Sequence, residues 1–97
     1  MTKAKQALEL CAKVRLAMTI EDTWGGDITI AAILHMAHFA PAQLQFTVTD
    51  FNSYTKVSTG TISGVVKQDG LMKLPRGPSL GVMPNWEVLG EPLFLIK

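Results

Sequence analysis

The spacing of apolar residues switches between a helical and a strand period along the first half of the chain. Ala4, Ala7, Leu8, Cys11 and Val14 recur every three or four positions, the stripe of an amphipathic helix over residues 3–14 with Thr2 placed as its N-cap. Residues 16–20 form a short apolar run that fits a strand buried on both faces, as parallel strands usually are. Residues 21–27 are polar and carry two glycines, which predicts a βα loop with Asp27 capping the next helix. Residues 28–39 predict that helix, and only Thr29, His35 and His38 are polar in it. A helix that is apolar nearly all round must be buried on several sides. Ala40-Pro41 ends it, and residues 44–49 alternate as a second strand with Asp50 at its carboxyl end.

Two strands joined by a helical crossover make a right-handed βαβ unit with parallel strands. A parallel pair alone leaves two edges open and cannot cover both of its faces. The pattern is therefore a slice of a larger α/β sheet or barrel, or a unit that associates with copies of itself. After Asn52 the character changes, with Gly60, Gly64, Gly70, Pro75, Gly77, Pro78, Gly81, Pro84, Gly90 and Pro92 interrupting every few residues. This predicts an irregular tail with short strands near residues 64–66 and 93–96.

Charge and composition narrow the classes further. The 97 residues carry nine basic and eight acidic side chains, a formal charge of +1 spread along the chain. No concentrated positive field is available to hold a phosphate backbone, so nucleic acid is not an expected partner. The longest apolar stretch falls short of the roughly 20 residues a membrane span needs, and the first residues do not form a signal core. No membrane partner is expected. A single cysteine cannot close an internal disulfide, which suits a reducing cytoplasm.

In parallel α/β architectures ligands bind at the carboxyl ends of the strands, where the βα loops converge. The candidate groups are Glu21, Asp22, Trp24 and Asp27 after the first strand, and Asp50, Asn52 and Tyr54 after the second. Carboxylates beside an indole face can seat a cationic ligand through charge-assisted hydrogen bonds and cation–π attraction. The alternative is that Asp22 and Asp50 cap loops and Trp24 only packs. His35 and His38 lie three apart but lack a third ligand, and are expected at the helix surface or an interface. Cys11 is expected to be a packed thiol, and Met18, Met36, Met72 and Met83 to fill gaps in the core. The Trp-Gly-Gly-Asp turn lacks a phosphate-binding glycine pattern, and Asp27 sets a negative charge where a phosphate would sit, so no nucleotide site is expected.

The string Ala-Met-Thr-Ile-Glu-Asp-Thr-Trp-Gly-Gly-Asp at 17–27, continued by Ala-Ala-Ile-Leu-His-Met-Ala at 31–37, resembles the seventh strand, loop and helix of the enolase superfamily's barrel. The match lies in its mandelate racemase/muconate lactonizing enzyme-like branch. Thr-Asp-Phe-Asn-Ser-Tyr at 49–54 is similar to the end of the eighth strand in cis-3-hydroxy-L-proline dehydratases and the related proline and hydroxyproline epimerases. The resemblance implies an α/β fold that is the C-terminal slice of a TIM-type (β/α)7β barrel. Residues 1–59 would be the barrel segment, with the last helices and strands seven and eight. Residues 60–97 would be a Gly/Pro-rich tail that packs on a capping domain. It also implies that the catalytic lysines of strands two and six, and the magnesium ligands of strands three, four and five, lie outside this sequence. Lys3 and Lys5 would fall in the helix after strand six and are not the catalytic lysine.

Under this resemblance Asp22, Trp24 and Asp50 face a small amino-acid substrate, and one or both aspartates hold its ring ammonium. No catalytic residue and no metal ligand is expected in the segment, magnesium belongs to the complete enzyme, and the isolated chain should be inactive. The implied chemistry is removal of the proton α to a carboxylate, leading to dehydration or to 2-epimerisation. The contrasting class is a non-catalytic, self-associating module. A homo-oligomer is expected either way, with the helix over residues 28–39 at a subunit contact.

Overall fold

A computed structural model describes residues 1–21, 25–49, 55–60 and 65–96; Asp22, Trp24 and Asp50 lie outside them. The first helix, α1, spans Thr2–Lys13. Thr2 is its first helical residue and not its cap. That place falls to Met1, whose carbonyl accepts a hydrogen bond from Lys5 N at 2.9 Å. The apolar stripe turns Leu8 and Cys11 onto the core, as a packed thiol requires.

The chain leaves α1 through a Schellman turn, in which Arg15 N donates to Ala12 O at 3.2 Å and Leu16 N to Cys11 O at 2.9 Å. Arg15 takes the left-handed conformation, φ +56°, that glycine usually fills. This turn consumes Leu16, which is exposed, so strand β1 is Met18–Glu21 and starts later than the apolar run suggests. Nor is it buried on both faces. Met18 and Ile20 are buried while Thr19 and Glu21 are exposed, because both helices pack on one side of the sheet.

Helix α2, Asp27–Phe39, follows within one residue of the expected bounds. Its N-cap is Gly26, which displaces Asp27 to the first helical position. At its other end the Gln45 side chain donates to the carbonyls of Ala37 at 2.5 Å and Ala40 at 2.9 Å, and Ala37 O also accepts from Ala40 N at 3.2 Å, which closes the last turn. A short 3-10 turn, Ala42–Leu44, absorbs Leu44, and strand β2 is Gln45–Thr49.

Strands β1 and β2 are parallel, with Thr19 opposite Thr47, Ile20 opposite Val48 and Glu21 opposite Thr49, after a register shift between Met18 and Thr19. Met18, Ile20, Ile33, Ala37 and Ala40 form the core between the sheet and α2, joined by Leu8, Cys11, Met36, Leu44 and Val48. The opposite face of the pair is polar, and Thr47 Oγ1 lies 3.4 Å from Thr19 Oγ1 across it.

The tail returns toward α2. Strands β3, Val66–Gln68, and β4, Leu71–Lys73, form a hairpin whose connecting residues Asp69 and Gly70 both have positive φ. That is the two-residue turn favoured by Asp-Gly. Leu74, Met72 and Leu71 line an open cleft of about 710 Å³ together with Leu34, Ala37 and His38 of α2. Further along, Leu80 O lies 3.1 Å from His35 Nε2. Ile30, Ala31 and Leu34 of α2 are also buried within the chain. A last helical turn, α3 over Trp86–Leu89, is capped by the Asn85 side chain, which accepts from Glu87 N at 3.2 Å.

The expected strand over residues 93–96 is not formed. Leu93, Phe94, Leu95 and Ile96 are each at least 75% exposed, and no strand among the described residues pairs with them. Met83 is exposed too and fills no gap in the core. Among the described residues the architecture is mixed α/β with two small sheets, and no helix is long and apolar enough to cross a membrane.

Candidate functional site

The carboxyl ends of β1 and β2 lie side by side, since Glu21 and Thr49 are register partners. Period-two alternation puts Thr19, Glu21, Thr47 and Thr49 on the polar face. Thr49 Oγ1 is buried there and has no hydrogen-bond partner among the described residues. The N-terminus of α2 opens at this same end of the sheet, because β1 leads into it through residues 22–26.

Asp27 is the residue whose role the spacing alone misjudged. Its Oδ2 accepts from Ser58 Oγ at 2.7 Å, Gly60 N at 2.8 Å and Thr59 Oγ1 at 3.4 Å, while its own backbone N donates to Thr59 Oγ1 at 3.0 Å. Burial pushes the carboxyl up, but the hydrogen bonds from Ser58, Gly60 and Thr59 outweigh it and hold the carboxyl below its usual value. The approach is close enough that a Cβ on Gly26 would run into Thr59, and one on Gly60 would lie 2.9 Å from Asp27 Cβ. Residues 59 and 60 are held in turn by the tail, through Asn85 N to Thr59 O at 2.9 Å and a bridge between Gly60 and Pro84. The signal for this junction was present as Asp27 followed much later by Ser-Thr-Gly at 58–60, but nothing in their spacing links them.

His35 and His38 part company. His35 is half-buried against Leu80 and His38 is exposed. Among the described residues no three His, Cys, Asp or Glu side chains converge as a metal site.

The sequence is 47% identical over 94 residues to a cis-3-hydroxy-L-proline dehydratase of Roseibium aggregatum, a match that covers 96% of this chain and 25% of the relative. A crystal structure of a mandelate racemase/muconate lactonizing enzyme from Roseovarius nubinhibens ISM superposes with a TM-score of 0.82 at 31% identity, over 92% of this chain and 24% of that one. The chain belongs to the mandelate racemase/muconate lactonizing enzymes. A second structure of such an enzyme from the same organism gives a TM-score of 0.79 at 30% identity. This member of the group spans about a quarter of the length of the relatives it matches. No family model matches it.

Proposed function

We propose that the chain is the C-terminal barrel segment of an enolase-superfamily enzyme that dehydrates cis-3-hydroxy-L-proline. The observation that carries this reading is the identity to a dehydratase of that name across nearly the whole chain. Two features support the barrel slice: the parallel pair covered by helices on one face, and the polar opposite face. The strand ends that precede Asp22 and Asp50 are adjacent, which suits a shared ligand.

In this reading Asp22 and Asp50 hold the ring ammonium of the substrate and Trp24 lies against it, since charge-assisted hydrogen bonds and cation–π attraction both favour a cation there. Loss of the proton α to the carboxylate is followed by expulsion of the 3-hydroxyl as water. The bases that move the proton, and magnesium, belong to the rest of the enzyme. Residues 1–59 are the barrel segment and 60–97 the tail, and the enzyme is a cytoplasmic homo-oligomer. The 97 residues alone turn over no substrate.

The test is a chimera in which this segment replaces the 94 aligned residues of the Roseibium dehydratase. It should dehydrate cis-3-hydroxy-L-proline within tenfold of the parent. At least one of Asp22→Asn and Asp50→Asn should lower kcat/KM tenfold or more, about 1.4 kcal/mol. If neither does, the ammonium role is wrong. A folded chimera that exchanges the α proton for deuterium in D2O without losing water carries epimerase chemistry instead.

A further inference from the structure

The last helical turn of the chain has little of its own to hold it in place. Helix α3, Trp86–Leu89, is four residues long and buries none of them. Trp86 is 60% exposed, and Val88 and Leu89 are exposed as well. A single turn does not persist alone in water, and a segment with so little apolar burial is the kind that opens locally. Its Asn85 cap acts within the turn. Backbone contacts just before α3 tie it to the body of the chain: Asn85 N donates to Thr59 O at 2.9 Å, and Pro84 bridges Gly60 in the antiparallel sense.

Residues 59 and 60 face two ways. Thr59 gives its carbonyl to Asn85, while its hydroxyl accepts from Asp27 N at 3.0 Å and lies 3.4 Å from Asp27 Oδ2. Gly60 pairs with Pro84 on one side and donates its N–H to Asp27 Oδ2 at 2.8 Å on the other. Ser58 Oγ adds a third donor to the same oxygen at 2.7 Å. Hydrogen bonds to an ionised acceptor are the stronger kind, so the firm side of this strip is the one that meets α2.

We infer that Asp27 is a latch for the tail: through residues 58–60 it holds segment 84–90 to the start of α2. The last helical turn, and the place of Trp86 on the surface, are therefore set by a carboxylate in another helix. The stretch just before that segment is anchored separately. Leu80 O reaches His35 Nε2 at 3.1 Å, Gly81 N donates to Pro78 O at 3.0 Å, and Gly81 packs so closely that a Cβ there would meet Pro75. Opening the latch frees residues 84–90 and leaves 78–81 where they are. Nothing in this inference uses the substrate reading.

The latch can be opened from either side. Asp27→Ala removes the acceptor, Asp27→Asn keeps an amide oxygen as a weaker one, and Ser58→Ala removes one donor of the three. Gly60→Ala leaves the carboxylate intact and pushes from the opposite side, since the new Cβ would lie 2.9 Å from Asp27 Cβ.

The experiment is native-state hydrogen exchange of the full-length chimera, read by mass spectrometry on peptides covering residues 33–40, 74–81 and 84–90. Exchange over 84–90 should rise at least tenfold in Asp27→Ala and in Gly60→Ala, and by a smaller factor in Asp27→Asn and Ser58→Ala. The other two peptides should change less than twofold in every variant. The double variant Asp27→Ala/Ser58→Ala should exchange no faster than Asp27→Ala, because both act through one contact. Unchanged exchange over 84–90 in Asp27→Ala overturns the latch. A rise shared equally by 33–40 and 74–81 overturns it too, since Asp27 would then support the fold as a whole. A rise in Asp27→Ala that Gly60→Ala does not reproduce overturns the path through residues 58–60. Turnover of substrate enters none of these readings, so the dehydratase proposal stands or falls separately.

Discussion

At the scale of single residues, Asp27 carries a pH dependence whose sign is fixed. Its carboxyl lies below its ordinary value: burial opposes ionisation, and neutral donors from Ser58, Gly60 and Thr59 favour it more strongly. A depressed carboxyl stabilises the fold fully above the unfolded value, about 3.9, and loses that contribution as pH falls through the folded value. Thermal melts of the wild-type and Asp27→Asn chimeras should differ by a constant amount between pH 5 and 7. The gap should narrow below about pH 4 and close in stronger acid. A gap independent of pH would mean that the charge of Asp27 contributes nothing. The same residue shows the limit of local reading. An aspartate at the start of a helix looks like a cap, and only the distant Ser58, Thr59 and Gly60 reveal that it has other partners.

At the scale of elements, periodicity located α1, β1, α2 and β2 to within one or two residues, because in each the apolar spacing matches the face that meets the core. It failed where capping chemistry or exposure decided the outcome. Leu16 reads as strand but closes the Schellman turn. Residues 93–96 read as strand but find no partner among the described residues. The hairpin Val66–Lys73 was legible in principle from Asp69-Gly70, the strongest short hairpin signal, yet its strands are too short for their alternation to register. The end of α1 gives a test. Arg15 sits at φ +56°, which costs a non-glycine residue about 1–2 kcal/mol. Glycine would relieve that cost but gain about 0.4–1 kcal/mol of unfolded-state freedom. Arg15→Gly should therefore stabilise the segment by roughly 0.5–1 kcal/mol, seen as a higher urea midpoint with an unchanged slope. A lower midpoint would show that the Arg15 side chain makes a contribution larger than the strain it imposes.

At the scale of the whole molecule, the tail is what the apolar pattern of α2 could not disclose. A helix apolar on several sides demands several covers, and the sequence offered a partner subunit as the natural one. In the structure Ile30, Ala31 and Leu34 of α2 are buried within the chain, and the tail brings Leu80 to His35. The carboxyl edge of the parallel pair, where the candidate site is proposed, was legible because topology alone locates that edge. Its side chains Asp22, Trp24 and Asp50 fall outside the described residues.

The crossover between the parallel strands also sets a timetable. Thr19 cannot meet Thr47 until the chain between them has doubled back, and helix α2, about 20 Å long at 1.5 Å per residue, is the strut that shortens that search. A helix of this length is marginal by itself, so it and the strand pair must condense together, and the tail can dock only on the surface they create. In a refolding experiment with pulsed hydrogen exchange, the amides of Ile33 to Ala37 should gain protection before that of Asn85, which bonds Thr59 across the junction. Earlier protection at Asn85 would reverse the order, and make the tail the template for the helix.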